Sequence, residues 1–535
     1  MLAALLSVAC TATKTEQARV EARRAEPGRP TAGPAPGCDQ LDKLVTRITR
    51  GWVPGRSPDL APIPRRPTYI GGPVNPVHTA PWDYLTDVPL VIFGPGLVPA
   101  RGESDAPATM ADVAPTIGSL IGFDFDTSDG DPLPTGAEGR APRLVVTVVW
   151  DGGGWNVLRE HPTEWPFLER AMRRGVSFTD FELGSTPTNT PPIHTTLGTG
   201  RFPRAHGIPG VKMRTPADGY IDPFEGHNAS EVRVPMLADL YDVARDNRPE
   251  IGTVATVNWH LGMMGHGDDF EDGDADLSVL LNDRGLLFGD SSTYAFPPAP
   301  PTTWLTDETD RLDRSDGAAD GRWNDDDLTD LAVRYSTPAY VAFQERVLEQ
   351  VIETQRFGAD AVPDLLFTNF KQIDDAGHKW GPFSAQVGAS VRASDDALRS
   401  LVRVLNAEVG RGRWVVLVTA DHGQMPYPED SGEWPVSPGQ LTGDIDRALD
   451  DNDNGIDLVW RTTAGGIFIQ RDEAKRLGLT MEEIAEWLID YRAEDNAPPG
   501  EPLPRPWRDD PQQRVFSGVV AGDRLAAAFC PGVDE

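Results

Sequence analysis

Arg143-Leu-Val-Val-Thr-Val-Val-Trp-Asp-Gly-Gly-Gly154 is the stretch from which the fold is read. Six of the seven residues 144–150 are apolar and four are valine, without the 3.6-residue spacing of an amphipathic helix. A short β-branched run of that kind predicts a strand covered on both faces, as in a parallel α/β sheet. It ends at Asp151 followed by three glycines. A carboxylate at the carboxyl end of a central strand, beside backbone that a ligand can approach closely, is where α/β proteins place their chemistry. The run Trp414-Val-Val-Leu-Val-Thr-Ala-Asp-His-Gly423 repeats the design. Two apolar strands each ending in Asp, one followed by His, predict a metal site.

Outward from these strands the pattern alternates. Residues 89–93 predict a strand, 109–121 a helix stopped by Gly122, and 166–174 a helix stopped by Gly175. Residues 184–210 read as a Pro/Thr-rich loop. Helix 234–246 then precedes strand 251–259, helix 339–356 precedes strand 365–370, and helix 387–407 leads into the Asp421 strand. That order predicts an α/β fold, a doubly wound, mostly parallel sheet flanked by helices, with surface insertions. The acidic stretches 268–276 and 316–330 are expected to be solvated insertions above the sheet. Residues 450–457 resemble half of a calcium loop, but Arg461 stands where a bidentate Glu is needed, so the segment reads as a solvated turn. Strands at 457–460 and 465–470 and a helix at 481–491 complete the tail.

With 535 residues, 39% of them hydrophobic and 24% charged, the chain has an ordinary globular composition. The net charge of −33 excludes nucleic acid or an anionic membrane surface as the main partner. It also requires that an anionic substrate be attracted locally, for example by bound cations. Met1–Cys10 is a short apolar run ending in small residues, like the end of a bacterial secretory signal with Cys10 as lipid acceptor. The expectation is an exported protein whose contact with the membrane is a lipid anchor at Cys10. Cys38 and Cys530 then remain, either as a disulfide or as two independent thiols. Oligomeric state has no signal in the sequence.

Phe370-Lys-Gln-Ile-Asp-Asp-Ala-Gly-His378 follows a third apolar strand. Asp374 and His378 offer one hard oxygen and one imidazole, a mixture that suits Zn²⁺ or Mn²⁺ better than Ca²⁺ or Mg²⁺. Taken together, Asp151, Thr190-x-x-x-His194 with Thr199-Gly200 and His206-Gly-Ile208, Asp374-x-x-Gly-His378 and Ala420-Asp-His-Gly423 resemble the alkaline phosphatase superfamily in its nucleotide pyrophosphatase/phosphodiesterase branch. The resemblance covers most of residues 143–425 in the family's order. It implies two zinc-like ions, one held by Asp151, Asp421, His422 and the nucleophile Thr190. The other would be held by Asp374, His378 and a third His that normally lies downstream of the Asp-His-Gly block.

No His follows His422. His78 opens a block, His-x-x-Pro-x-x-Tyr-x-Thr-x-Val-Pro, then a strand, Gly-Pro-Gly and Asp112-Val-Ala-Pro-Thr, that resembles the family's carboxyl-terminal segment. The resemblance therefore implies a circular permutation, with His78 as the missing ligand; the alternative is an unrelated cap. The domain expectation follows: residues 1–25 a leader, 26–65 a Pro/Arg-rich tether with a short helix near 41–49, 66–142 the permuted piece plus linker, and 143–535 the main catalytic domain. By the same resemblance the substrate is a small phosphorylated molecule, a phosphate diester or nucleotide pyrophosphate, cleaved through a phosphothreonine intermediate. A phosphomonoesterase on the same site is the rival, and a non-catalytic cell-surface binding lipoprotein a further alternative. The branch often places an Asn shortly after His-Gly-Ile; here the chain reads Pro209-Gly-Val-Lys212. Asn189, Lys212 or backbone amides near Thr190 are expected to substitute. The segment with Trp259, His260 and His266 is expected to line the substrate pocket, and His194 and His206 to fix the loop around Thr190.

Overall fold

A computed structural model of the chain describes residues 38–527 apart from 138, 217–218, 433, 498–502 and 504–506. Cys10, Cys530 and the side chain of Cys38, the residues of the expected lipidation and disulfide, lie outside the described residues. The described chain divides into two units. One contains Thr46–Ser57 and Asp83–Gln424; the other has its described residues in 38–45, 58–82 and 425–527.

The larger unit is built on a nine-stranded sheet. In chain order its strands are β1 (Leu90–Phe93), β2 (Gly102–Ser104), β3 (Leu144–Trp150), β4 (Val176–Phe178), β5 (Ile251–Ala255), β6 (Leu277–Leu281), β7 (Leu287–Phe288), β8 (Asp364–Phe370) and β9 (Trp414–Thr419). Their spatial order is β7-β6-β5-β8-β3-β9-β1-β4-β2. The central strands β6, β5, β8, β3 and β9 run parallel. β1 and β7 run antiparallel to their inner neighbours.

All seven residues of β3 are buried, because helices cover both faces of the sheet. On one face Val145 and Val149 pack with Val113 and Ile117 of α1 (Val113–Ile121). On the other, Val146 and Val148 pack with Leu168 of α2 (Pro166–Arg174). The first face also receives α3 (Thr190–Thr199) and α4 (Leu237–Ala244). The second receives α5 (Pro338–Gln355), α6 (Gln372–Trp380) and α7 (Ala385–Leu405). This is the doubly wound, mostly parallel α/β sheet that the alternating pattern predicts.

The smaller unit carries a four-stranded antiparallel sheet in the order Val459–Thr463, Gly466–Ile469, Leu60–Pro64, Phe516–Ala521. Leu60, Ile467, Ile469 and Phe516 form its core with Ile484 and Leu488 of the helix Met481–Ile489.

Several expectations need correction. The helix expected near 41–49 is present as Cys38–Gly51, but residues 26–65 are otherwise not a tether throughout, since Leu60–Pro64 is a strand. Pro62 and Pro64 flank Ile63 there, and prolines mask the alternation that marks a strand. The expected single domain at 143–535 divides, since residues from 425 onward belong to the smaller unit, and the 66–142 piece divides at Trp82/Asp83. The loop expected over 184–210 holds α3 and a short helix, Pro203–His206. Prolines at the first turn of α3 cost nothing there, because those N–H groups have no helical partner. The threonines are satisfied locally: Thr195, Thr196 and Thr199 each donate Oγ1–H to the carbonyl four residues back, at 2.8, 2.9 and 2.6 Å.

Candidate metal centre

Register brings the chemistry to one edge of the sheet. Trp150 of β3 pairs with Phe370 of β8, and Val149 pairs with Thr419 of β9. The residues that follow, Asp151, Lys371 and Ala420-Asp421, therefore leave the sheet side by side at the carboxyl ends of three adjacent parallel strands. In the first turn of α6 stands Asp374, and one turn on stands His378. Thr190 opens α3 directly after its N-cap Asn189.

Asp151, Asp421 and His422 are fully buried. His422 Nε2 lies 3.5 Å from Asp151 Oδ1 and 3.4 Å from Asp421 Oδ2. His378 Nε2 lies 3.3 Å from Asp374 Oδ1. Four ligands about 2 Å from a tetrahedral ion are roughly 3.3 Å apart, so these gaps match the ligand spacing that such an ion requires. Asp421 Oδ2 is buried and accepts no hydrogen bond from the described residues. Burial and the charge of Asp151 push the Asp421 carboxyl up to about 7. Burial works against charge on His422, yet Asp421 and Asp151 outweigh it and raise the imidazole to about 9. A site that holds carboxylates at this range and keeps an oxygen unsatisfied has the chemistry of a divalent cation site.

The glycines after Asp151 make the approach possible. Gly152 has φ +69° and donates its N–H to Asp421 Oδ1 at 3.0 Å. A Cβ there would sit 2.5 Å from Gln424 Nε2 and 2.9 Å from Asp374 Cβ. Gln424 in turn donates Nε2–H to the Ile373 carbonyl at 2.9 Å, tying the Asp421 loop to α6.

Two residues in this centre had no role in the sequence reading. Lys371 is 6% exposed. Its Nζ donates to Asp151 Oδ1 at 2.8 Å and to Asp374 Oδ2 at 2.6 Å, and lies 3.4 Å from Thr190 Oγ1. Burial opposes its charge, but Asp151 and Asp374 outweigh that and raise the ammonium well above its ordinary range. The available signal was a lysine directly after an apolar strand, in a chain where arginine far outnumbers lysine. Asn369 donates Nδ2–H to Asp151 Oδ2 at 3.0 Å. It sits inside a strand, where nothing in the sequence marks it.

The remaining predicted residues divide by position. His194 Nε2 accepts from Asn369 at 3.4 Å, which puts its proton on Nδ1, 2.9 Å from His260 Nδ1. Burial lowers His194 to about 3 and His260 well below its ordinary value, so both rings are neutral behind Asp151. His206 accepts from the Ile208 N–H on Nδ1 and faces Thr196 Oγ1 with Nε2, each at 3.2 Å, bracing α3. Asn189 is 7% exposed and its Oδ1 has no hydrogen-bond partner among the described residues. Lys212 Nζ is 4.0 Å from Asp222 Oδ2, and Trp259 Nε1–H donates to the same oxygen at 2.9 Å. His266 Nδ1 pairs with Asp239 Oδ2 at 2.7 Å. His78 is buried and belongs to the smaller unit.

Residues 145–502 match the family described as type I phosphodiesterase / nucleotide pyrophosphatase. The chain belongs to that family. Among other relatives of this phosphodiesterase-family chain, alkaline phosphatase PafA of Elizabethkingia meningoseptica is 24% identical over 334 residues, 53% of this chain and 60% of that protein. Alkaline phosphatase PhoV of Synechococcus elongatus is 22% identical over 343 residues, 54% of this chain and 60% of that one. The chain thus spans about 60% of the length of these curated relatives. A crystal structure of wild-type PafA superposes with a TM-score of 0.52 at 16% identity, over 72% of this chain and 85% of that one, a likeness of fold. The alkaline phosphatase superfamily, in its phosphodiesterase branch, is therefore the setting in which the centre is read. No helix among the described residues is long and apolar enough to cross a membrane.

Proposed function

We propose that this chain is an exported, metal-dependent hydrolase of small phosphate diesters or nucleotide pyrophosphates that works through a phosphothreonine at Thr190. The observation that carries the reading is the convergence of Asp151, Asp421 and His422, whose ligand atoms lie within 4.8 Å of one another, with Lys371, which joins Asp151 to Asp374 and lies 3.4 Å from the Thr190 hydroxyl.

Two cations of the Zn²⁺ or Mn²⁺ type would be held, one by Asp151, Asp421, His422 and Thr190, the other by Asp374 and His378; bound there, they would supply positive charge to phosphoryl oxygens and lower the cost of ionising a hydroxyl. Thr190 Oγ1 forms the new P–O bond in line as the leaving oxygen departs, and water then cleaves the phosphothreonine and restores the hydroxyl. Asn189, at the N-cap of α3, and the Thr190 N–H take the part of the absent downstream Asn, because Pro191 and Pro192 next in the helix carry no N–H. Trp259 is placed in this reading on the substrate side, whereas His260, buried behind Asp151 and paired with His194, is not. The seating of Leu90–Phe93 against Trp414–Thr419 supports reading residues 66–142 as a permuted carboxyl-terminal piece.

A monoester dianion needs one more cationic contact than a diester. Lys371 is already shared by two carboxylates, and Lys212 faces Asp222, which favours diesters. The monoesterase reading stands second, because the curated relatives are named alkaline phosphatases. Hydrolysis of bis-p-nitrophenyl phosphate and p-nitrophenyl phosphate by one preparation decides between them. We expect kcat/KM for the diester to exceed that for the monoester by at least about tenfold, and a chelator to abolish both rates. A faster monoester overturns the preference, and absence of both rates in metal-loaded protein favours the binding-lipoprotein alternative.

A further inference from the structure

The acidic stretch 268–276, expected to be solvated, is not solvated throughout. Asp276, which leads into β6, is 7% exposed, and Asp242, in the last turn of α4, is 3% exposed. These two carboxylates and that of the exposed Asp274 bring oxygens within 4.8 Å of one another. Asp242 Oδ1 is buried and accepts no hydrogen bond from the described residues.

The surroundings add negative charge. Asp239 on α4 and Glu250 just before β5 both act on Asp242 and Asp276. The basic groups beyond α4 are turned to other partners: Arg245 lies over the rings of Phe123 and Tyr241, and Arg248 donates to the Arg245 carbonyl. Asp242 also sits at the carboxyl end of its helix, where the peptide dipoles disfavour an anion. Burial, together with these neighbouring carboxylates, holds Asp242 and Asp276 well above the usual carboxylate range. Buried carboxylates at this range need either a shared proton or a cation.

We propose that Asp242, Asp274 and Asp276 bind a divalent cation of the calcium type, distinct from the catalytic pair, which pins the segment before β6 to the end of α4. The protein donors are all oxygen, with neither imidazole nor thiolate, a set that suits Ca²⁺ rather than Zn²⁺. Exposed Asp274 leaves an entry path and room for water ligands, which a six- to eight-coordinate ion requires. The site is structural, and it stands whether or not Thr190 is the nucleophile.

The test uses the full chain, saturated with Zn²⁺, melted at pH 8 with and without 1 mM Ca²⁺ as the sole added probe, with calorimetric titration for stoichiometry. Ca²⁺ is expected to raise Tm by roughly 4 °C or more, with one Ca²⁺ bound per chain. Asp274→Ala, a change at an exposed position that folding tolerates, and Asp276→Asn are expected to lose that rise. Asp276→Asn is also expected to melt no lower than the parent in Ca²⁺-free buffer, since it removes a repelling charge. An unshifted parent chain, or an equal rise in both variants, overturns the site in favour of a shared proton.

Discussion

Thr190→Ala is expected to lower phosphodiester turnover on the order of 10⁴-fold or more while leaving the metal content of the protein unchanged. A threonine hydroxyl ionises far above neutral pH, so a nucleophilic role depends on the positive charge around it. Thr190 is 2% exposed, opens a helix, and lies 3.4 Å from Lys371 Nζ. Removing one member of a unit that acts together removes nearly all of its rate, with a residue left from binding and electrostatics. Asp151, Asp421, His422, Asp374 and His378 remain in the variant, so metal analysis separates loss of the nucleophile from loss of the centre. Thr190→Ser is expected to recover part of the rate. Turnover by the alanine variant within a factor of ten of the parent contradicts the assignment.

Lys371→Met is expected to act in opposite directions on the metal-free and metal-loaded forms. In the metal-free chain the ammonium bridges Asp151 Oδ1 and Asp374 Oδ2. Leaving those buried carboxylates without it costs about 3–5 kcal/mol, so the chelated variant melts well below the chelated parent. Cations bound at the same carboxylates replace that charge, so the loaded variant loses far less. The variant is also expected to bind Zn²⁺ at least about tenfold more tightly, because a resident cation no longer competes. Melting with and without chelator, and calorimetric titration with Zn²⁺, read both effects. Equal melting of the chelated forms, or weaker metal binding in the variant, shows instead that Lys371 holds the ligands in place.

What the sequence made legible follows from where its signal is strong. Buried parallel strands leave long β-branched runs, so Leu144–Trp150 and Trp414–Thr419 were readable to the residue, and each announced the carboxylate at its end. The Asp374 and His378 pair was readable from its residue types, one hard oxygen and one imidazole shortly after an apolar strand; the helix Gln372–Trp380 that puts both on one face was not. Lys371 and Asn369 were not, since their roles depend on register: only the pairing of Phe370 with Trp150 sets them beside Asp151. The α3 helix was hidden because two prolines and four threonines read as loop until their place in the first turn and their back-bonding hydroxyls are known. Asp242 and Asp276 lie 34 positions apart, and no local pattern shows that the sheet edge buries both.

The account rests on a pair of cations at the carboxyl ends of β3, β8 and β9. Anomalous diffraction at the zinc edge, from crystals of the Zn²⁺-loaded chain, tests it most directly. The account predicts two peaks, one bounded by Asp151, Asp421, His422 and Thr190, the other by Asp374 and His378, with protein ligands at about 2 Å. A map with no peak at these residues, and Lys371 still bridging Asp151 and Asp374 at full Zn²⁺ occupancy elsewhere, contradicts it.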